Sequence, residues 1–186
     1  MTEASDRDLM ARLVAGDREA LAPLMERHHA RLYRIALAYV RRPDDALDVV
    51  QETFVKAFVH AARWDRGSEV TPWLTRIAVN QSIDTYRRGR RRRTTEEPLD
   101  DTPAQELAVD DPSPERRVMG REISERVGAA LGGLPERQRA VFVLRHYEEL
   151  SLDEIARALD MSLGTVKSSL HRAVHRMRER LAGVRP

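Results

Sequence analysis

The sequence predicts an all-α protein: two small helical domains, an N-terminal helical bundle and a C-terminal helix-turn-helix domain, joined by a flexible acidic linker. Three observations carry this. Apolar residues recur at helical spacing through two blocks, and no stretch sustains the alternation of a strand. Both blocks contain a capping residue followed directly by proline, Thr71-Pro72 and Ser113-Pro114, which marks a helix start. Between the blocks, Thr94 to Pro114 reads TTEEPLDDTPAQELAVDDPSP, with seven acids, four prolines and no basic residue. That composition has too little apolar mass to form a core.

The first block runs from about Ser5 to Arg93. Asp6–Ala15 carries Leu9, Leu13 and Val14 at helical spacing, and Gly16 ends it. Asp17 can cap a second helix with Leu21, Leu24, Met25, Leu32, Ile35, Ala36, Tyr39 and Val40 on one broad face. Pro43 stands near the start of a third, where Asp44 and Asp45 favour the positive end of the helix dipole. Its expected inward positions are Leu47, Val50, Phe54 and Phe58. A loop, Trp64 to Val70, precedes a fourth helix capped by Thr71, which carries Trp73, Leu74, Ile77 and Ala78 into an arginine run.

The second block opens at Ser113-Pro114 with a helix through Val118, Ile123, Val127 and Leu131 that ends at Gly132-Gly133. Leu134-Pro135-Glu136 starts the next, with Val141, Phe142 and Leu144 inward. Ser151 and Glu154 form a capping box, in which hydroxyl and carboxylate each accept from the other residue's amide. That helix ends near Leu159, and Ser162 caps a last one running to about Leu181.

Composition bounds the function. The 186 residues carry 32 Lys+Arg against 30 Asp+Glu, a net charge of +2, yet all the basic residues except Lys56 and Lys167 are arginine. Guanidinium is always charged and forks onto phosphate or carboxylate. A near-zero sum with this much arginine means that the two signs are segregated or paired. Cys is 0, which excludes disulfides, Cys-ligated zinc and thiol catalysis. No apolar run approaches the ~20 residues of a membrane span, and MTEASDRDLM has no signal-peptide pattern. A cytoplasmic protein without membrane insertion is expected. No catalytic constellation, Walker-type loop or nucleophile elbow is present. His171 and His175 are four apart, but metal binding there would cost the helix its outer face, so no metal, cofactor or enzymatic activity is expected.

Two stretches point to nucleic acid. Ser151 to Arg178 reads as a helix-turn-helix: Ile155 and Leu159 face Val166 and Leu170, small Ala156 permits close approach, and Asp160 takes the turn position that often holds glycine. Thr165, Lys167, Ser168, His171 and Arg172 on the outer faces of the second helix can donate to phosphates and base edges. The plain alternative is a solvated basic helix in an ordinary bundle. Arg87 to Arg93 places six arginines in seven positions, a solvated charged run or a nucleic-acid patch. It extends a helix carrying Asn80 and Tyr86, which suit single-stranded bases.

The order of these pieces resembles the bacterial RNA polymerase sigma factors of the extracytoplasmic-function (ECF) type. Asp44–Phe58 (DDALDVVQETFVKAF) resembles their second conserved region, Trp73–Arg88 (WLTRIAVNQSIDTYRR) their melting and minus-10 region, and Leu134–Leu181 their fourth region. The resemblance implies residues 1–93 as the polymerase-binding, minus-10 domain, 94–112 as linker and 113–186 as the minus-35 domain. It implies core RNA polymerase as partner, through its β′ clamp helices and β flap, with Asp48, Gln51 and Glu52 at the clamp contact. It implies minus-10 and melting contacts at Trp73, Arg76, Asn80, Asp84, Arg87 and Arg88, and minus-35 contacts at Lys167, Ser168, His171 and Arg172. An anti-sigma factor and a linker that mimics phosphate in the polymerase channel are implied as well. The alternatives are a stand-alone helix-turn-helix regulator binding duplex operator DNA as a dimer, and an adaptor or anti-sigma bundle, which the basic terminal helix disfavours.

Overall fold

Ser5 opens the first helix, α1 (Asp6–Val14), in a capping box: its hydroxyl accepts from the Asp8 amide and the Asp8 carboxylate accepts from the Ser5 amide. The computed structural model describes residues 4–95, 123 and 125–182. Gly16, at φ +96°, turns the chain through the left-handed region open to glycine. Asp17 caps a single 3-10 turn (Arg18–Ala20), rather than a helix directly, and that turn leads into α2 (Leu21–Val40). Pro43 starts α3 (Pro43–Val59), with Asp44 and Asp45 in its first turn.

The fourth helix, α4 (Val70–Thr95), begins one residue before Thr71, so Thr71 lies inside the first turn instead of capping it. Arginine is a good helix former, and the helix continues through the arginine run into Thr94 and Thr95, two residues into the stretch read as linker. The rest of that stretch, the Ser113-Pro114 cap and Val118 lie outside the described residues, as do the side chains of residues 90–95.

The C-terminal half comprises α5 (125–132), α6 (Glu136–His146), α7 (Leu152–Leu159) and α8 (Leu163–Leu181). Among the described residues, every regular element is helical. Ser151 and Glu154 form the expected reciprocal cap of α7. Asp160 ends α7 in the left-handed conformation, at φ 53°, and the Ser162 hydroxyl caps α8 by accepting from the Thr165 amide. The turn of the helix-turn-helix is therefore fixed on one side by the Asp160 amide, which donates to the Ala156 carbonyl, and on the other by the Ser162 side-chain cap.

One apolar cluster belongs to the N-terminal half: Leu9, Met10, Leu24, Leu32, Phe54, Trp64 and Leu74. A second joins the halves. Ile35, Tyr39, Val49 and Val79 pack with Val141, Leu144, Ile155 and Val166. A third, around Leu131, Leu134, Ala173 and Met177, ties α5 to α8.

The expected inward stripe of α3 needs correction. Val50 and Phe54 are buried, but Leu47 is 42% and Phe58 38% exposed. The buried face is instead Ala46, Val49, Val50, Thr53, Phe54 and Ala57. The helix lies against both α2 and α4, and the small Ala46, Thr53 and Ala57 allow that approach, turning Leu47 and Phe58 outward. Met25 of α2 is likewise more exposed than its helical spacing suggests, at 37%.

Candidate nucleic-acid and polymerase interfaces

On α4 the expected site residues lie along one side. Arg76, Asn80, Asp84, Arg87 and Arg88 are exposed, with Trp73 half-buried at the start. Steps of three and four residues from Trp73 to Arg87 keep these positions on one helical face, with Arg88 adjoining it, and Trp73 to Arg88 spans about 22 Å at 1.5 Å per residue. The opposite side is anchored by Leu74, Ala78 and Val79. The Ser82 hydroxyl is turned back to the Ala78 carbonyl at 2.7 Å, away from the exposed face. Trp73 rests against the N-terminal cluster, whereas Trp64 is the fully buried tryptophan. The loop before α4 is held by the Asp65 carboxylate, which accepts from the Gly67 amide, and by Arg7, which donates to the Gly67 carbonyl.

Two of these arginines already hold carboxylates of the C-terminal half. Arg87 makes a forked pair with Glu136 at 2.5 and 2.6 Å, and that bond pushes the guanidinium pKa up. Arg76 meets Asp160, the turn residue of the helix-turn-helix, at 3.2 Å. Arg88 donates to the Asp84 carbonyl and the Thr85 hydroxyl, not to the Asp84 carboxylate. Sequence reasoning missed these partners because they lie 49 and 84 residues away, beyond the reach of helical spacing.

Helix α8 is arranged differently. It is held from below by Val166, Ala173 and Met177, leaving Thr165, Lys167, Ser168, His171 and Arg172 exposed. Thr165, Ser168 and Arg172 follow the three-and-four spacing of one face. The Thr165 and Ser168 hydroxyls are engaged locally, with Ser162 and the Thr165 carbonyl. Among the described residues, Lys167, His171 and Arg172 have no ion-pair partner, whereas His175 meets Glu179 at 3.4 Å. No group of three or more His, Asp or Glu that could hold a metal ion occurs among the described residues.

Asp48 and Gln51 of α3 are exposed, and Glu52 is half-exposed beside Lys56, 3.8 Å away. Lys56 also bonds Gln81 of α4, tying the two helices together. Around the acids stand Leu47, Phe58, Val55 at 54% and Val59 at 63% exposed. Exposed large apolar side chains of this kind are candidates for an interaction surface, and all four lie on α3. Leu47 and Phe58 were assigned inward from spacing, and the apolar rim they form with Val55 and Val59 was missed.

A second apolar surface is a groove of about 580 Å³ in the C-terminal half, lined by Val127, Phe142, Tyr147, Val174, Met177 and Leu181, with His146 and Arg178 beside them. Phe142, expected inward, is half-buried there and packs on the His146 ring at 4.4 Å. Burial and the neighbouring Arg145 charge lower the His146 pKa.

A basic helix on a helical bundle, followed by a capped helix-turn-helix with an exposed polar recognition helix, defines a DNA-binding transcription protein. Residues 24–92 match the family description Sigma-70 region 2, and residues 124–177 match Sigma-70, region 4. The chain is 37% identical over 175 residues to the ECF RNA polymerase sigma factor SigM of Mycobacterium tuberculosis, spanning 94% of this chain and 84% of that one. It is 29% identical over 170 residues to SigW of Bacillus subtilis, spanning 89% and 91%. A solved structure of CnrH, in complex with the cytosolic domain of CnrY, superposes with a TM-score of 0.72 at 27% identity and covers 97% of this chain and 99% of that one. The protein belongs to the ECF family of RNA polymerase sigma factors. It is a non-enzymatic initiation factor that directs RNA polymerase to promoters, region 2 serving the minus-10 element and region 4 the minus-35 element. Among the described residues, no helix is long and apolar enough to cross a membrane.

Proposed function

We propose that residues 1–93 form the polymerase-binding and minus-10 domain, residues 94–112 the linker and residues 113–186 the minus-35 domain of a cytoplasmic initiation factor. Asp48, Gln51 and Glu52 meet the β′ clamp helices, with the exposed Leu47, Val55, Phe58 and Val59 supplying the apolar part of the contact. Trp73, Arg76, Asn80, Asp84, Arg87 and Arg88 hold the non-template strand of the minus-10 element. Side-chain donors and an aromatic face along about 22 Å of one helix suit a single strand. Thr165, Lys167, Ser168, His171 and Arg172 enter the major groove at the minus-35 element, as the second helix of such motifs does.

The apolar groove between α5, α6 and α8 receives the β flap. CnrH was solved bound to the cytosolic domain of CnrY, and this chain is likewise held inactive by an anti-sigma factor that covers its polymerase-facing surfaces. The observation carrying the whole reading is the pairing of two differently built DNA faces, α4 and α8, in one chain. In vitro transcription with purified core polymerase and a promoter library tests it. Specific transcripts are expected only from the reconstituted holoenzyme. Absence of polymerase binding, together with sequence-specific dimer binding to duplex DNA by the free chain, would overturn it in favour of a stand-alone regulator.

A further inference from the structure

Helix α1 carries none of the residues assigned to DNA or polymerase, yet its first turn is anchored by polar contacts with α2. The Asp6 carboxylate accepts from Arg27 at 2.8 Å and lies 2.7 Å from the His28 ring, whose side chain is only 7% exposed. Arg27 donates as well to the Ala4 carbonyl at 2.8 Å. Behind these contacts Leu9, Met10 and Leu13 are buried in the N-terminal cluster. That cluster also takes Trp64 and Val70, the two residues that bracket the loop before α4. The Trp64 indole N–H has no hydrogen-bond partner among the described residues, so packing alone seats it.

Between those two anchors the loop is closed by local bonds and by one distant one. The Ser68 amide and hydroxyl both donate to the Asp65 carbonyl at 2.8 Å, and the Asp65 carboxylate accepts from the Gly67 amide at 3.1 Å. Bonds of this kind set a turn but not the direction in which it points. The Gly67 carbonyl accepts from Arg7 of α1 at 3.1 Å, across 60 residues of sequence. Asp65 thus holds the amide of Gly67, and Arg7 its carbonyl. The fold does not itself require glycine there: its φ lies outside the left-handed region, and a Cβ would meet nothing closer than the Asp65 carboxylate at 3.6 Å. Glycine in such a place suits close approach of a ligand to the main chain. Arg66 beside it is exposed, with no ion-pair partner among the described residues. The loop runs directly into α4, one helical turn before Trp73.

We propose that α1 braces the minus-10 site: Arg7 is a positioning residue that holds the Gly67 main chain, with Arg66, towards the nucleotide at the Trp73 end of the minus-10 strand. The inference rests on the assignment of α4 to that strand, since a strand laid along α4 continues past Trp73 onto this loop. A single exposed hydrogen bond contributes little to folding, and the loop's local bonds survive without it. What Arg7 supplies is direction, and the Asp6 anchor keeps Arg7 itself in place.

The test is selection by reconstituted holoenzyme from a library randomised at the minus-10 element, with the minus-35 element fixed. Arg7→Ala is expected to flatten the preference at one minus-10 position by about 2- to 10-fold, the range that one net hydrogen bond carries, while the Tm of the free chain stays nearly unchanged. Arg7→Lys keeps a cationic donor and should restore most of that preference. Arg12→Ala, on the same helix, removes a pair to Asp17 rather than to the loop and should select as the wild type does. An Arg7 that only stabilises α1 would lower Tm and leave the preference intact, and an intact preference overturns the proposal. So does equal flattening by Arg12→Ala, or flattening that lysine does not reverse. Gly67→Ala tests the strand assignment separately, because the fold accommodates its Cβ. Selection left unchanged by both Gly67→Ala and Asn80→Ala would remove the strand from α4, and the brace with it. Selection altered by those two but not by Arg7→Ala would remove the brace alone.

Discussion

The two DNA-facing helices are held in opposite ways. Helix α8 is anchored by three buried side chains, and Lys167, His171 and Arg172 project without ion-pair partners among the described residues. Helix α4 is embedded on its inner side by Leu74, Ala78 and Val79. On its outer side Arg76 and Arg87 are taken up by Asp160 and Glu136. The difference teaches that a basic helix can be present yet electrostatically committed. On the proposed assignment, duplex contact through α8 would need no exchange of partners, whereas strand contact through α4 would require Arg76 and Arg87 to trade carboxylate for phosphate.

The largest expected effect removes the distinction altogether. Asp48→Lys with Glu52→Lys reverses the acidic part of the α3 surface. Like charges placed across an interface cost several kcal/mol, so holoenzyme assembly should fall on the order of a hundredfold. Transcription should drop at all promoters alike, with helicity intact. Pull-down with core polymerase checks this, and normal assembly would remove those two acids from the interface.

Arg172→Ala separates the helices. It should reduce initiation by about 1–3 kcal/mol at promoters with a good minus-35 element. Promoters that depend chiefly on their minus-10 element should respond little. Run-off transcription on matched templates measures both, and an unchanged minus-35 preference would sink the base-reading role of Arg172.

A smaller effect falls on the scaffold under α8. Ser151→Ala removes the hydroxyl that caps α7 and should cost about 1 kcal/mol of stability, read as a lower Tm. Glu154, whose carboxyl is held below the usual carboxylate range by its bonds to Ser151, loses that support at the same time.

The smallest lies at the far end of the N-terminal half. Burial pushes the Asp6 carboxyl up, but the hydrogen bonds and charges of Arg27 and His28 outweigh it and hold the group below its ordinary 3.8. A carboxyl depressed on folding stabilises above its unfolded pKa, and that contribution is lost as pH falls through the folded value. The docking of α1 should therefore weaken in acid below about pH 4, and Asp6→Asn should flatten that part of the stability profile in acid titrations followed by circular dichroism.

Much of the scaffold was legible because it is local. The Ser151–Glu154 box, the Ser162 cap, the left-handed Asp160 and the end of α1 at Gly16 depend on residues within four positions of each other. Arg76, Asn80, Asp84, Arg87 and Arg88 came instead from the family resemblance, and the structure adds that all five are exposed. The outward turn of Leu47 and Phe58 was not legible. Apolar residues occur on most sides of α3, and only its packing against α2 and α4 decides which stripe is inward. The pairs from Arg76, Arg87 and Arg34 to the C-terminal half were hidden for another reason. No local pattern tells an arginine bound for phosphate from one that meets a carboxylate 49, 84 or 114 residues away.

The central claim is that one chain reads two promoter elements through two separate helices. Its most direct test is selection from a promoter library randomised at both elements, using holoenzyme reconstituted with the wild-type chain, Asn80→Ala or Arg172→Ala. The account predicts that Asn80→Ala alters only the selected minus-10 sequence and Arg172→Ala only the minus-35 sequence. Loss of both preferences from either substitution, or of neither from both, would contradict it.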